Sequence, residues 1–307
     1  MSSVTHYEVS PRDGLQNEPE VVSTEAKVQL IERLVAAGMK DIEVTSFVRP
    51  TWIPQLSDAT ELVSRLPKNP DVRYWGLVPN RVGLDRALSV GLRHIATFMS
   101  ASETHNKKNV NRTRRESLAG LREVIGLAKD TNVTVRAYIS TSFGCPYEGD
   151  VDPEQVIELA KALKGAGADT IVLGDTTGMG TPLQVKDVIE RVVKAGIPLT
   201  ELAIHLHDTR GTALVNAYAA YEVGLRTFDG SIGGVGGCPY APGAAGNAAT
   251  EDLLYLFHSL GLESGIDLER AADAGHFLSE TLGRPLAGRY HRYSAGSRER
   301  ARARTSA

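Results

Sequence analysis

Short runs of β-branched and aliphatic residues alternate along the chain with longer stretches whose apolar positions recur every three or four residues. The short runs predict strands at Val4–Val9, Asp41–Thr45, Val72–Val78, His94–Met99, Thr134–Ser140, Thr170–Leu173, Leu202–His207 and Thr227–Ile232. Between them, Val28, Ile31, Leu34 and Val35 mark the buried face of a helix over Thr24–Ala37, and a second helical pattern covers Glu116–Lys129. Pro153 and Pro182 each suit the first turn of a further helix, the former reaching about Gly165. Glycines close the helices just before the next strand in AAGMKDIEV, GAGADTIVL and YEVGLRTFD. Strand and helix alternate in this way with no change of composition regime. The pattern predicts one α/β domain, a (β/α)8 TIM barrel of about 250 residues, with an added C-terminal helix at Leu268–Leu282. A doubly wound sheet shows the same alternation, but no G-x-G-x-x-G follows the first strand.

The catalytic domain is expected over residues 1–288. Residues 289–307, RYHRYSAGSRERARARTSA, are Arg-rich and poor in large aliphatics, which predicts a solvated, flexible tail. A mobile arm that attracts an anionic ligand is the sharper reading of the same segment.

The 307 residues are 42% hydrophobic and 23% charged, with a formal net charge of −3. That balance gives no basis for nucleic-acid binding or membrane attraction. No apolar run has the length of a membrane span, and the first residues lack the basic and apolar regions of a secretory signal, so a cytoplasmic protein is expected. Cys145 and Cys238 are too few for a disulfide framework and are expected as thiols.

In a barrel, chemistry belongs at the C-terminal ends of the strands. His205 and His207 in HLHD lie two apart, so one face of the seventh strand carries both, a pairing suited to a divalent metal. Asp13 follows the first strand, close in a barrel to the seventh and eighth. It reads either as a metal ligand or as the turn residue of Asp-Gly. The neighbouring Arg12 is not something a turn needs. After the eighth strand, SIGGVGGCPYAPGAAGNAATED is a glycine-rich segment fit to close over a ligand, and its Cys238 offers a thiol for proton transfer. Asn247, at its end, is an N-cap of the next helix or an oxygen ligand for a metal. Glu43 alternates with Ile42 and Val44. If it faces inward it needs a partner, and Arg12 is the nearest candidate.

Taken together, PRDGLQNE, IEVTSFV, SASE with KKN, GCPYEG, LGDTTGMGTP, HLHDT and GGCPYAPGAAGNAATEDL resemble the 3-hydroxy-3-methylglutaryl-CoA lyase family, within the metal-dependent barrel lyases and Claisen-type synthases. RDG with H-x-H marks the broad group, and the glycine loop with its cysteine marks the lyase branch. The resemblance runs to about Gly288. It implies cleavage of 3-hydroxy-3-methylglutaryl-CoA to acetyl-CoA and acetoacetate, and Mg²⁺ or Mn²⁺ held by Asp13, His205, His207 and Asn247. It further implies Arg12 at the enolate oxygen, Cys238 in proton transfer, Glu43 supporting Arg12, and Asp13 or His205 as the base, with Arg12 facing the thioester and Asp13 the metal. Substrate contacts are assigned to Arg12, Gln16, Ser46 and Tyr138. Lys107, Lys108 and Arg112 are candidates for the CoA phosphates, and a homodimer is the assembly implied. The rival readings are a lyase for another 3-hydroxy-3-alkylglutaryl-CoA, a condensing enzyme joining an acyl-CoA to a 2-oxo acid, and a non-catalytic binding protein.

Overall fold

The computed structural model describes residues 3–237 and 246–305. Eight parallel strands close into a barrel in chain order, because β1 (Thr5–Glu8) pairs with both β2 (Asp41–Ser46) and β8 (Thr227–Gly230). Between them run β3 (Arg73–Leu77), β4 (His94–Ser100), β5 (Thr134–Ser140), β6 (Thr170–Asp175) and β7 (Leu202–Leu206). The outer ring consists of α1 (Thr24–Ala36), α2 (Ala59–Arg65), α3 (Arg81–Ser89), α4 (Glu103–Val110), α5 (Arg114–Asp130), α6 (Pro153–Gly165), α7 (Pro182–Lys194) and α8 (Ala213–Glu222). Three further helices, α9 (Thr250–Ser259), α10 (Leu268–Leu282) and α11 (Arg289–Thr305), follow the last strand. No helix among the described residues is long and apolar enough to cross a membrane.

Pro153 and Pro182 stand in the helix first turns expected for them, each behind a side-chain cap. Asp152 accepts from the backbone of α6, and Thr181 forms a capping box with Gln184 on α7; each helix has proline in its first turn. Period-two alternation separates the two faces of the wall. Ile42 and Val44 pack outward with Val28, Ile31 and Leu34 of α1, while Leu77, Ala96, Tyr138, Val172 and Ala203 form a separate cluster inside the barrel. The pairing of β2 with β3 shifts register between Glu43 and Thr45, a bulge at the site rim.

The end of the chain departs from expectation. Arg289–Thr305 is helical and packs on α9 and α10, with His291 and Ser294 buried. The local cause is Asp252 of α9. Its carboxylate accepts the Arg289 and Tyr290 backbone N–H groups at 3.0 and 2.6 Å, satisfying donors that a helix N-terminus leaves free. A partner 37 residues away in sequence supplies that cap, so the tail's own composition does not reveal it.

Candidate active site

Asp13 and Arg12 sit on a single wide helical turn, Ser10–Gly14, directly after β1. The backbone N–H groups of Arg12, Asp13 and Gly14 all converge on the Val9 carbonyl, at 3.1, 2.8 and 3.2 Å. Such wide turns recur at functional sites because they re-aim side chains at a strand end. Gly14 does not adopt positive φ. Its role is close approach, since a Cβ there would lie 2.6 Å from Val235 Cγ1 in the segment after β8. The Asp-Gly pair is therefore a packing contact between the first and last strand loops rather than a left-handed turn.

His205 on β7 and His207 just beyond it are both buried, with ring centroids 5.2 Å apart. Asp13, His205 and His207 each offer a ligand atom, and all three atoms lie within 4.8 Å of one another. Asn247 reaches the same place through backbone pairing. It bridges to His207, with Asp208 N–H donating to Gly246 O at 2.7 Å and Ala248 N–H to Leu206 O at 2.9 Å. Its amide nitrogen donates to Asp13 Oδ2 at 2.9 Å and to Val235 O at 3.1 Å. Asn247 is not the N-cap of α9, because Ala249 holds that position. Buried Asn247 Oδ1, His205 Nδ1 and His207 Nδ1 have no hydrogen-bond partner among the described residues. A carboxylate, two imidazoles and an amide oxygen, three of them with orphaned polar atoms, fit a divalent cation.

Electrostatics keep this set in ligand form. Burial opposes the charge on Asp13, but Arg12, His205, His207 and the Asn247 amide outweigh it and hold the carboxyl well below its usual range. Burial and the neighbouring His205 push His207 down to about 3, so it is a neutral donor at physiological pH. Arg12 donates from Nε to Glu43 Oε1 and from Nη1 to Asp13 Oδ1. Glu43 thus meets the partner expected for it. Arg12 and Asp13 do not point apart as expected, since the guanidinium bridges both carboxylates.

Beneath the mouth lies a buried polar network. Glu43 Oε2 accepts from Tyr7 at 2.8 Å and from Tyr138 at 3.5 Å. Tyr138 also donates to Asp229 Oδ2 at 2.7 Å, and Arg136 donates to Asp229 Oδ1 at 2.5 Å. Burial and the nearby carboxylates raise both tyrosine hydroxyls well above their usual range, so they remain donors. Sequence reasoning passed over Tyr7, Arg136 and Asp229. The available signal was a charge at an alternating position inside each of two apolar strands, RAYIS and TFDG.

The mouth opens into a cavity of about 1110 Å³ lined by Arg12, Asp13, Gln16, Tyr138, His205 and His207. Arg49, Arg86 and Arg112 line the same cavity. Glu43 and Asn247 stand behind this wall. Ser46 also does not line the cavity; its hydroxyl donates to Leu77 O at 3.4 Å and accepts from Val48 N–H at 3.3 Å. Of the basic candidates, Arg112 reaches the cavity, whereas Lys107 pairs with Glu103 at 3.5 Å and Lys108 lies 4.7 Å over the Tyr147 ring. Cys238 lies outside the described residues. Cys145 is a buried free thiol whose Sγ lies 3.0 Å from Ser102 Oγ.

Comparison with known proteins points the same way. The HMGL-like family model matches residues 3–278. A hydroxymethylglutaryl-CoA lyase of Bacillus subtilis is 49% identical over 286 residues, spanning 93% of this chain and 95% of that protein. The crystal structure of the B. subtilis HMG-CoA lyase superposes with a TM-score of 0.93 at 47% identity, covering 95% of this chain and 98% of the other. An HMG-CoA lyase from Acinetobacter baumannii, in complex with coenzyme A and 3-methylmalate, superposes with a TM-score of 0.89 at 39% identity over 94% and 93% of the two chains. By family model, by relative and by structure, the chain belongs to the HMGL-like family.

Proposed function

We propose that the protein is a carbon–carbon lyase that cleaves 3-hydroxy-3-methylglutaryl-CoA to acetyl-CoA and acetoacetate. The observation that carries this reading is the convergence of Asp13, His205 and His207 beside Arg12 at the barrel mouth. The shared ancestry with an HMG-CoA lyase over nearly the whole length of both proteins supports it. Asp13, His205, His207 and Asn247 would hold a Mg²⁺- or Mn²⁺-type ion, which when bound would lower the pKa of the tertiary hydroxyl and neutralise the substrate carboxylate.

The chain's own groups do the rest. Asp13 accepts the hydroxyl proton through an oxygen that the ion leaves free, or His205 accepts it in place of ligating the ion. The C2–C3 bond then breaks, C3 becomes the ketone carbon of acetoacetate, and the electron pair moves onto the thioester as an enolate. Arg12, held by Glu43 and Asp13, faces the cavity and offers positive charge to the enolate oxygen. Protonation of C2 yields acetyl-CoA, and the glycine loop would supply that proton from Cys238 while excluding water. Gln16 and Tyr138 contact the acyl group. Arg112, with Arg49, is the candidate for the CoA phosphates. The catalytic domain extends through α11, the assembly is a homodimer and the location cytoplasmic.

A lyase assay with 3-hydroxy-3-methylglutaryl-CoA tests this directly. Acetoacetate should form, EDTA should abolish it, and Mn²⁺ or Mg²⁺ should restore it. No acetoacetate from metal-loaded protein, or release of free CoA from acetyl-CoA and a 2-oxo acid, would overturn the lyase reading.

A further inference from the structure

The two imidazoles at the mouth are not equivalent. His207 Nδ1 is buried without a partner among the described residues. His205 Nδ1 also makes no hydrogen bond there, but it faces a buried carboxylate, Asp229 Oδ2 of β8, at an ion-pair distance of 3.4 Å. Asp229 is itself buried and fixed from two other directions. Arg136 holds Oδ1 at 2.5 Å, and the Tyr138 hydroxyl holds Oδ2 at 2.7 Å. The Arg136 guanidinium lies 3.7 Å above the Tyr7 ring, which anchors it in turn. Tyr138 also stands edge-on to the His205 ring, with centroids 5.9 Å apart.

From this arrangement we infer that Asp229 is a positioning residue that sets the tautomer and orientation of His205. A carboxylate only accepts hydrogen bonds. With Asp229 facing Nδ1, a neutral imidazole places its proton there and leaves the Nε2 lone pair for the mouth. Arg136 and Tyr138 prevent Asp229 from turning away, so the geometry is set by the barrel interior before any ligand arrives. Asp229 does not line the cavity, which assigns it no contact with substrate. His207 has no carboxylate facing its Nδ1 in this way among the described residues, and only its backbone is fixed, by the bridge to Asn247.

The tautomer part of this inference stands on the interior geometry alone, and only its affinity part rests on the reading of His205 as a metal ligand. The experiment is nitrogen-15 NMR of histidine-labelled, metal-free protein at pH 7.5, with His205 assigned from a His205→Asn spectrum, together with Mn²⁺ titration. In the parent, His205 should carry its proton on Nδ1. Asp229→Asn should shift it toward the Nε2-protonated form and weaken Mn²⁺ binding about 10–100-fold. A tautomer shift with unchanged Mn²⁺ affinity supports the role of Asp229 and removes His205 from the ion-binding set. An Nε2-protonated His205 in the parent overturns the inference without any variant. So does a folded Asp229→Asn protein with both tautomer and affinity unchanged.

Discussion

The two walls of the barrel interior are built from different materials. β3, β4 and β6 turn Leu77, Ala96, Phe98 and Val172 inward, and these make an apolar cluster with Ala203 of β7 and the Tyr138 ring of β5. β1, β2, β7 and β8 turn in Tyr7, Glu43, His205 and Asp229; Tyr7, Glu43 and Asp229 are hydrogen-bonded, and His205 lies 3.4 Å from Asp229. β5 joins the walls by sending Arg136 and Tyr138 across to the polar side. Burying so many charges on one wall is costly unless each is paired. The pairing converges on Arg12 and the Asp13–His205–His207 group. The apolar wall holds the barrel closed, and the polar wall spends stability on fixing the mouth.

Three measurements sharpen or break that contrast. The largest effect is expected from Arg12→Gln, which should lower kcat about 100- to 1000-fold, or roughly 2.7–4 kcal/mol of transition-state stabilisation, with little change in Mn²⁺ affinity. A mild loss in kcat would remove Arg12 from the enolate.

Next comes pH. His207 is depressed from 6.5 to about 3, so in that window the unfolded chain binds more protons and stability falls as pH falls. Glu251, buried on α9 with its carboxylate taking the Gly233 N–H at 2.7 Å, is pushed up by burial to about 8 from 4.5. There the folded chain binds more protons, and stability falls as pH rises through that range. The two slopes oppose one another between 4.5 and 6.5, so metal-free protein should be most stable there in denaturant titrations. His207→Asn should flatten the acid limb and Glu251→Gln the alkaline limb. Unaltered limbs would show that these two buried groups do not govern the pH profile.

The smallest effect belongs to the apolar wall. Val172→Ala should cost about 1–3 kcal/mol in unfolding free energy and leave kcat near that of the parent. A large loss in kcat without loss of stability would mean that this wall also shapes the chemistry.

Much of the fold was legible because helix and strand periodicities and glycine stops are local. The eight strands fall where the alternation put them, within a residue or two at each end. The face-sharing of His205 and His207 was legible for the same reason. The role of Asn247 was not. An Asn ahead of a helix reads first as its cap, and only the tertiary structure puts Ala249 in the cap position and Asn247 against His207 and Asp13. Asp229 and Arg136 were passed over because each looks like an isolated charge until the strands close and put them 2.5 Å apart. The last helix was misread because its cap, Asp252, lies on another element.

The sequence by itself determined the (β/α)8 order, the Asp after the first strand, the His pair on the seventh and the glycine segment after the eighth. These depend on spacing within one element or one loop. Tertiary structure alone decided that Arg12 bridges Glu43 and Asp13, that Asn247 meets Asp13 across 234 positions of chain, and that Asp229 stands under His205. Side-chain contacts between distant segments follow from barrel closure, which brings β1 beside β8, and no local periodicity encodes the distances that closure creates.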